Sequence, residues 1–142
     1  MALSVNTGRK MHQSGPVAKG EHAVAAGVNI YQGAYVGSLA GLARGLTAGD
    51  DFLGIAMNQA NNASGAAAAI TVTLIREGML SGVTITGASS AADVNKPVYA
   101  SDDGTLTLTP GSNSKIGHVV AYRPDTSDFD VYFQSRGFRT GT

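Results

Sequence analysis

Cysteine and tryptophan are both absent from this 142-residue chain, and each absence removes a class of site. Without cysteine, the chain forms no disulfide, no thiolate metal site and no cysteine nucleophile. Without tryptophan, and with aromatic residues at 6% of the sequence, it is poor in the exposed rings on which carbohydrate-binding modules usually hold sugars. Stability must therefore come from packing or from assembly.

Long apolar runs and charged residues are also scarce. No apolar stretch approaches the roughly 20 residues of a membrane-spanning helix, and residues 1–10 lack the apolar segment of a secretory signal. We therefore expect a soluble, uncleaved chain without a membrane partner. Hydrophobic residues still make up 43% of the sequence, which is enough apolar material for the core of one domain.

Charge is balanced overall but is unevenly placed along the chain. Residues 1–20 and 136–142 contain five bases and no acid, whereas residues 21–135 hold all ten acids against five bases. This distribution predicts an extended, flexible basic arm over 1–20, a β domain over 21–135 and a short basic tail over 136–142.

The five terminal bases are the candidate contact residues for a capsid or a sister subunit. They are Arg9, Lys10, Lys19, Arg136 and Arg139. Five charges without interleaved aromatic residues make too small a footprint for a dedicated nucleic-acid binder. An acidic protein surface suits them better, and plain solubilising tails are the alternative.

The rest of the chain has the residue pattern of short β-strands separated by turns. Short β-branched, aromatic or alternating segments are separated by clusters of Gly, Asp, Asn, Pro and Ser, which is typical of a compact antiparallel β-sandwich or barrel. The predicted strands are 34–38, 52–57, 69–76, 83–86, 97–101, 105–109, 115–123 and 129–134. Helix signals are weak, and 89–94 predicts a single turn capped by Ser89 or Ser90.

A weak internal repeat appears when the sequence is shifted by 63 residues. The shift places 34–36 over 97–99 and 53–56 over 116–119, so each copy contains strand, turn, strand, turn, strand. If these are repeated supersecondary units, the body consists of two similar meanders packed together. Chance agreement among glycine-rich strands is the alternative.

Histidines and sequence motifs give no sign of catalysis or of a cofactor. His12, His22 and His118 are far apart and form no closely spaced pair, so we expect no histidine metal site. The strand setting of His118, between Gly117 and Val119, favours a structural role. Neither a nucleophile elbow nor a phosphate-binding loop is present.

The aspartate groups are interpreted as turns. In 102–104 the sequence Asp-Asp-Gly fits a tight hairpin with positive φ. Asp125, Asp128 and Asp130 lie close together, but their spacing lacks the glycine and the terminal glutamate of an EF-hand. We therefore predict that the protein is not an enzyme and holds neither a metal nor a cofactor.

Six short segments follow one another in an order that resembles a known family. They are 27–30 (GVNI), 32–36 (QGAYV), 51–56 (DFLGIA), 76–78 (REG), 96–99 (KPVY) and 115–120 (KIGHVV). As a set spread over most of 16–134, they resemble the capsid cement, or head decoration, proteins of tailed bacteriophages. The resemblance implies a non-enzymatic β-protein, commonly a homotrimer, on the outer surface of the virion capsid, where it bridges neighbouring major capsid protein subunits.

Three alternatives stay open. A phage tail or receptor-binding component is also rich in β-structure, although this chain contains no coiled-coil stalk or long repeat. A carbohydrate-binding module would have to rely on five tyrosines, most of them in predicted strands. A small hydrolase built from scattered Ser, His and Asp would usually leave a local signature.

Overall fold

The computed structural model describes residues 2–13 and 19–135, which fold mainly as β-strands. The strands are β1 (Lys10–Gln13), β2 (Lys19–Ala23), β3 (Val28–Ile30), β4 (Tyr35–Leu39), β5 (Leu42–Gly45), β6 (Phe52–Ala56), β7 (Ala60–Asn62), β8 (Thr71–Ile75), β9 (Glu77–Val83), β10 (Pro97–Ala100), β11 (Leu106–Thr107), β12 (Ser114–Arg123) and β13 (Asp128–Gln134). One 3₁₀ turn, Ala91–Asp93, precedes β10.

These strands form two large antiparallel sheets and one small two-stranded sheet. The six-stranded sheet has the order β1-β9-β13-β12-β10-β11, and the five-stranded sheet has the order β2-β8-β6-β4-β5. Strands β3 and β7 pair separately. The predicted mostly-β fold of packed antiparallel sheets is thus confirmed.

The five-stranded sheet is buried on both faces. On one face, Val36, Ala56 and Leu74 pack in a core with Ile30 and Ala60 of the two-stranded β3–β7 sheet. The β3–β7 sheet therefore covers this face, which is turned away from the six-stranded sheet.

The other face of the five-stranded sheet packs on the six-stranded sheet in the larger core. Tyr35, Ile55 and Phe52 share this core with Leu80 and Phe133. The Phe52 and Phe133 rings meet edge to face, with centroids 6.3 Å apart, a geometry that aromatic pairs prefer. The layers therefore stack in one direction: β3–β7 sheet, five-stranded sheet, six-stranded sheet.

The predicted repeat is present in the topology of the sheets. The first half contains β2, β4, β5, β6 and β8, the second contains β9 to β13, and in both the sheet order is first, fifth, fourth, second, third strand. Val36 pairs with Gly54 and Val98 pairs with Gly117, and in both cases the register shifts directly after the valine. Val36 thus matches Val98, an offset of 62 residues, whereas the glycines keep the offset of 63.

Local structure differs from the sequence prediction in several places. Strands β1, β2, β3, β5 and β7 were not predicted, β9 precedes the expected strand 83–86, and β11 covers only part of 105–109. The predicted turn at 89–94 is present, and the Ser90 side chain accepts a hydrogen bond from the N–H of Ala92. Gly104 has no positive φ, which corrects the hairpin prediction. Its N–H instead donates to Asp102 Oδ1 at 2.8 Å. The predicted turn itself is present, since 102–104 connects the paired strands β10 and β11, so only the predicted φ of Gly104 was wrong.

Candidate interaction surface

The predicted contact residue Arg9 is held against the body. Its Nε donates to the carbonyl oxygen of Gly33 at 2.5 Å, and its guanidinium carbon lies 4.6 Å from the centre of the Tyr35 ring. Burial raises the pKa of Tyr35, and the charge of Arg9 opposes that rise. Since a cation over an aromatic ring contributes about 0.5–2 kcal/mol, Arg9 ties the N-terminal segment to the β domain, and only part of its side chain is exposed.

Lys10 and Lys19 are exposed on the outermost strands of the two large sheets. Lys10 lies opposite Ser81 at the edge of the six-stranded sheet, and Lys19 lies opposite Ile75 at the edge of the five-stranded sheet. Within 2–13 and 19–135, neither lysine forms an ion pair. Both are available to an acidic partner. Arg136 and Arg139 lie outside the described residues.

The fold brings the end of β1, the start of β2 and the end of β13 to one place beside Arg76. Strand β1 ends opposite Gly78 and β2 begins opposite Ile75, so the two strand ends flank Arg76. The Ser135 N–H donates to the carbonyl oxygen of Arg76 at 2.7 Å. The C-terminal tail therefore starts beside the same residue.

Two further bases lie at this end of the molecule. The Arg76 guanidinium lies over β2, where Nη2 donates to the carbonyl oxygen of Glu21 at 3.4 Å. Lys115 is two residues before Gly117, which pairs with Phe133, so Lys115 stands across from Ser135. We call Lys19, Arg76 and Lys115 the basic edge.

The basic edge differs from the remaining bases of the β domain, which are neutralised by acids nearby. The ion pairs are Arg44 with Asp50 at 2.8 Å, Lys96 with Asp93 at 2.8 Å, and Arg123 with Asp128 and Asp130 at 3.4 and 2.8 Å. No ion pair between described residues involves the basic edge. Its charge is therefore available to a partner.

An open groove of about 330 Å³ begins at the basic edge and crosses the outer face of the six-stranded sheet. Its lining includes Lys115, His118, Tyr132 and Gln134. The His118 and Tyr132 rings lie 5.4 Å apart. Burial and a hydrogen bond to Glu77 raise the pKa of Tyr132 to about 12, so its hydroxyl stays protonated and donates to that carboxylate. Gln134 Nε2 donates to the same carboxylate at 3.1 Å, which fixes the groove wall.

The described part of the chain shows no site for a metal ion. No three His, Asp or Glu side chains among residues 2–13 and 19–135 are placed to hold one. Asp128 and Asp130, considered above as oxygen ligands, instead bind the guanidinium of Arg123. In the same residues, no helix has the length and hydropathy needed to cross a membrane.

Sequence reasoning missed both the groove and the place of Arg76 in the basic edge. The alternation along β13 does put Tyr132 and Gln134 on the face opposite Val131 and Phe133. Which residues of β12 join them depends on the strand register, however, and no single-strand pattern contains that information.

Comparison with known proteins leaves the family open. No protein-family model, curated protein or solved structure matches this chain.

Proposed function

We propose that the protein is a structural virion component that binds the outer surface of a phage capsid and cements neighbouring major capsid protein subunits. In this proposal it acts without catalysis, as a homotrimer, and uses neither nucleic acid nor a membrane. The observation that carries the proposal is the arrangement at Arg76, where the end of β1, the start of β2 and Ser135 meet and where Lys19, Arg76 and Lys115 form no ion pair among the described residues. The family resemblance of the sequence supplies the identity of the partner.

Charge complementarity gives this edge a physical role. Unpaired lysine and arginine side chains steer a protein toward an acidic surface and fix its orientation there. One such contact is weak because salt screens exposed charges. On a shell, an oligomer presents the contact several times at once, and linked contacts raise the overall affinity by orders of magnitude.

The first test is co-sedimentation with empty heads of the phage that encodes the chain. Neutralising three of the terminal bases (Lys19→Gln, Arg136→Gln and Arg139→Gln) should weaken head binding at least tenfold, and wild-type binding should weaken as salt rises. Charge neutralisation is preferable to deleting residues 1–19, because the deletion would also remove β1 from its sheet.

A matched control introduces the same change in net charge at exposed positions that carry no basic side chain. The substitutions Thr84→Glu, Thr109→Glu and Ser112→Glu should leave head binding within about twofold of wild type, as expected for surface changes away from a contact. If both triple variants bind equally well, Lys19, Arg136 and Arg139 have no part in head binding. If the wild-type protein does not co-sediment with the heads, the proposal is overturned.

Carbohydrate binding is the second candidate, because of the groove. The paired rings of His118 and Tyr132, next to the amide of Gln134, offer a stacking surface and hydrogen-bonding groups. Carbohydrate binding would be favoured over the capsid function by three results together. The wild-type protein binds a glycan, the variant His118→Ala binds that glycan more weakly, and the wild-type protein does not bind heads. A phage tail component has no observation of its own in its favour.

A further inference from the structure

The two halves of the chain can be matched residue by residue across their sheets. In the first half, one row of paired residues runs Lys19, Ile75, Ile55, Tyr35. In the second half, the equivalent row runs Met79, Tyr132, His118, Pro97. His118 therefore stands where the first half has Ile55.

A bulge in β12 places two polar side chains of the groove on one face. Consecutive residues of β10, Val98 and Tyr99, pair with Gly117 and Lys115, so one residue of β12 is extra. In a regular strand, residues 115 and 118 would point to opposite faces. With the extra residue between them, Lys115 and His118 are both exposed and both line the groove. Bulges re-aim side chains in this way next to functional sites.

The first half has the same bulge, and there it serves packing. Gly54 and Phe52 of β6 flank the extra residue, and Phe52 and Ile55 both lie in the larger core. At the matched positions the second half has a lysine and a histidine. The bulge is therefore present in the second half without the packing that uses it in the first half, and it presents polar groups instead.

The wall of the groove is fixed by hydrogen bonds among its own side chains. The Tyr132 hydroxyl and Gln134 Nε2 both donate to the carboxylate of Glu77. The Tyr132 ring lies 5.4 Å from the ring of His118. Groups that are already ordered lose little conformational entropy when a ligand binds, so this wall is preorganised for a ligand.

The charge of the groove favours a ligand with a negative group. Lys115 is exposed at the end of the groove that meets the basic edge, and it forms no ion pair within residues 2–13 and 19–135. Glu77, the acid beside the groove, already accepts the bonds from Tyr132 and Gln134. An unpaired ammonium group is thus left for an anionic group of the ligand.

The place of the groove in the sheet argues against an extended peptide as the ligand. The groove crosses β10, β12 and β13, which are all interior strands of the six-stranded sheet. A peptide that adds to a sheet needs the free backbone groups of an edge strand. Interior strands already use these groups, so the groove offers side chains and ring faces only.

We propose that the groove binds an acidic sugar, that is, a saccharide unit that carries a carboxylate. The carboxylate meets Lys115, the apolar face of the sugar ring packs on the rings of Tyr132 and His118, and sugar hydroxyls bond to the amides of Asn95 and Gln134. The inference rests on the second candidate function, carbohydrate binding, and names its ligand class. It does not depend on capsid binding.

The size of the groove fits a short stretch of saccharide. Its volume of about 330 Å³ lies at the lower end of the roughly 300–1,000 Å³ of small-ligand sites. One end of the groove is open to the basic edge, so a longer chain of sugars can continue past it.

The test is an NMR titration of the full chain with trimers of galacturonate, glucuronate and sialate, each compared with its carboxyl-reduced form. At least one acidic trimer should bind, and its affinity should exceed that of its reduced form by about tenfold, because only the acid meets Lys115. Lys115→Gln should remove this difference, and His118→Ala should weaken both forms. The proposal is overturned if none of the acidic trimers binds, or if the reduced forms bind equally well.

A matched control separates the groove from general attraction between charges. Lys10 is exposed on β1, outside the groove, and like Lys115 it forms no ion pair among the described residues. Lys10→Gln should therefore leave the affinity for the acidic trimer within about twofold of wild type. Equal losses in Lys10→Gln and Lys115→Gln would contradict a site at Lys115.

A peptide probe tests the class of the ligand. Capped triglutamate carries as many carboxylates as the acidic trimers but has no sugar ring to pack on Tyr132. It should bind about tenfold more weakly than the best acidic trimer, because charge alone contributes little at an exposed site. If triglutamate binds as tightly, the groove is a site for acidic peptides and the sugar proposal is wrong.

The place of binding can be read in the wild-type protein, which removes any dependence on how the variants fold. The ring signals of His118 should shift when the acidic trimer is added. Those of His22, whose ring bonds to the carbonyl oxygen of Gly41 at 2.8 Å, should stay unchanged. A shift at His22 without one at His118 would refute the groove as the site.

Failure of this inference can be told apart from failure of the proposed functions. Equal binding of a reduced trimer at His118 would leave carbohydrate binding standing and refute the acidic class. A protein that binds no saccharide but co-sediments with heads would refute this inference and leave the capsid function standing. Binding of an acidic trimer by a protein that does not bind heads would support the inference and refute the capsid function.

Discussion

The two halves of the protein have the same strand order and the same bulge, yet they use equivalent faces in opposite ways. In the first half, Tyr35 and Ile55 face the second half and are buried. In the second half, the matched Pro97 and His118 face outward. The same strand arrangement therefore forms an inner layer in the first half and an outer surface in the second half. The side chains of the matched row decide which of the two it forms.

The largest expected effect concerns a glycine that each half needs for the close approach of neighbouring strands. Gly54 and Gly117 occupy matched positions where a neighbouring strand approaches closely. A Cβ at Gly54 would lie 2.6 Å from the carbonyl oxygen of Ile75, at a φ of +150°, and a Cβ at Gly117 would overlap the carbonyl oxygen of Tyr132.

We therefore expect Gly54→Ala and Gly117→Ala each to lower the free energy of unfolding by about 4 kcal/mol, because backbone atoms cannot move aside cheaply. Urea denaturation at one fixed protein concentration measures the effect. Gly8→Ala, where a Cβ meets nothing within 4 Å, should change stability by less than about 0.5 kcal/mol. A large loss at only one of the two glycines would mean that the halves are not equivalent.

The next largest effect is expected when the side chains at one matched pair of positions are exchanged. Ile55→His puts a polar ring into the buried row and should cost about 3 kcal/mol in unfolding free energy, because a large apolar side chain is lost and the imidazole lacks a partner. His118→Ile changes an exposed position and should cost less than about 0.5 kcal/mol. Equal losses in the two variants would contradict the assignment of buried and exposed rows.

The smallest expected effect concerns the connections that differ between the halves. Between its first two strands, the second half contains the 3₁₀ turn, whose Asp93 is buried and bonded to Lys96, Ser89 and Ser90. The Lys96 hydrogen bond, together with those from the two backbone N–H groups, lowers the pKa of Asp93 to about 2.

Because this pKa is lower in the folded chain than the ordinary value of 3.8, the carboxylate stabilises the fold above about pH 4. That contribution should fade as the pH falls toward 2. Unfolding midpoints between pH 6 and pH 2 measure it, with Asp93→Asn as the control. If wild type and Asp93→Asn lose stability in parallel over this range, the carboxylate contributes nothing.

The sequence predicts the parts of the fold that depend on the residue pattern within a single strand. Alternation in 70–76 and the apolar run at 115–123 predict β8 and β12 because side chains of a strand point to opposite faces. The sequence of β1, Lys-Met-His-Gln, shows no such pattern, and this strand is defined by its pairing with β9.

The candidate site depends on which residues of neighbouring strands lie opposite one another. The sequence therefore predicts less of the site than of the strands. His118 lies between Gly117 and Val119, a setting that favours a structural role, yet the register with β13 places it beside Tyr132 on an exposed face. Arg76 comes to lie beside the end of β1, the start of β2 and Ser135 only through pairing between strands that are distant in the sequence. The charge imbalance along the sequence points to Lys10 and Lys19, which form no ion pair within residues 2–13 and 19–135, but not to Arg76 or Lys115.

The most direct measurement of the cement proposal is the temperature at which empty heads break open, recorded with and without saturating wild-type protein. Cementing predicts that the bound protein raises this temperature, and that the neutralised variant Lys19→Gln/Arg136→Gln/Arg139→Gln raises it less at the same concentration. Heads that carry the protein at saturation and still break open at the temperature of bare heads would contradict the proposal.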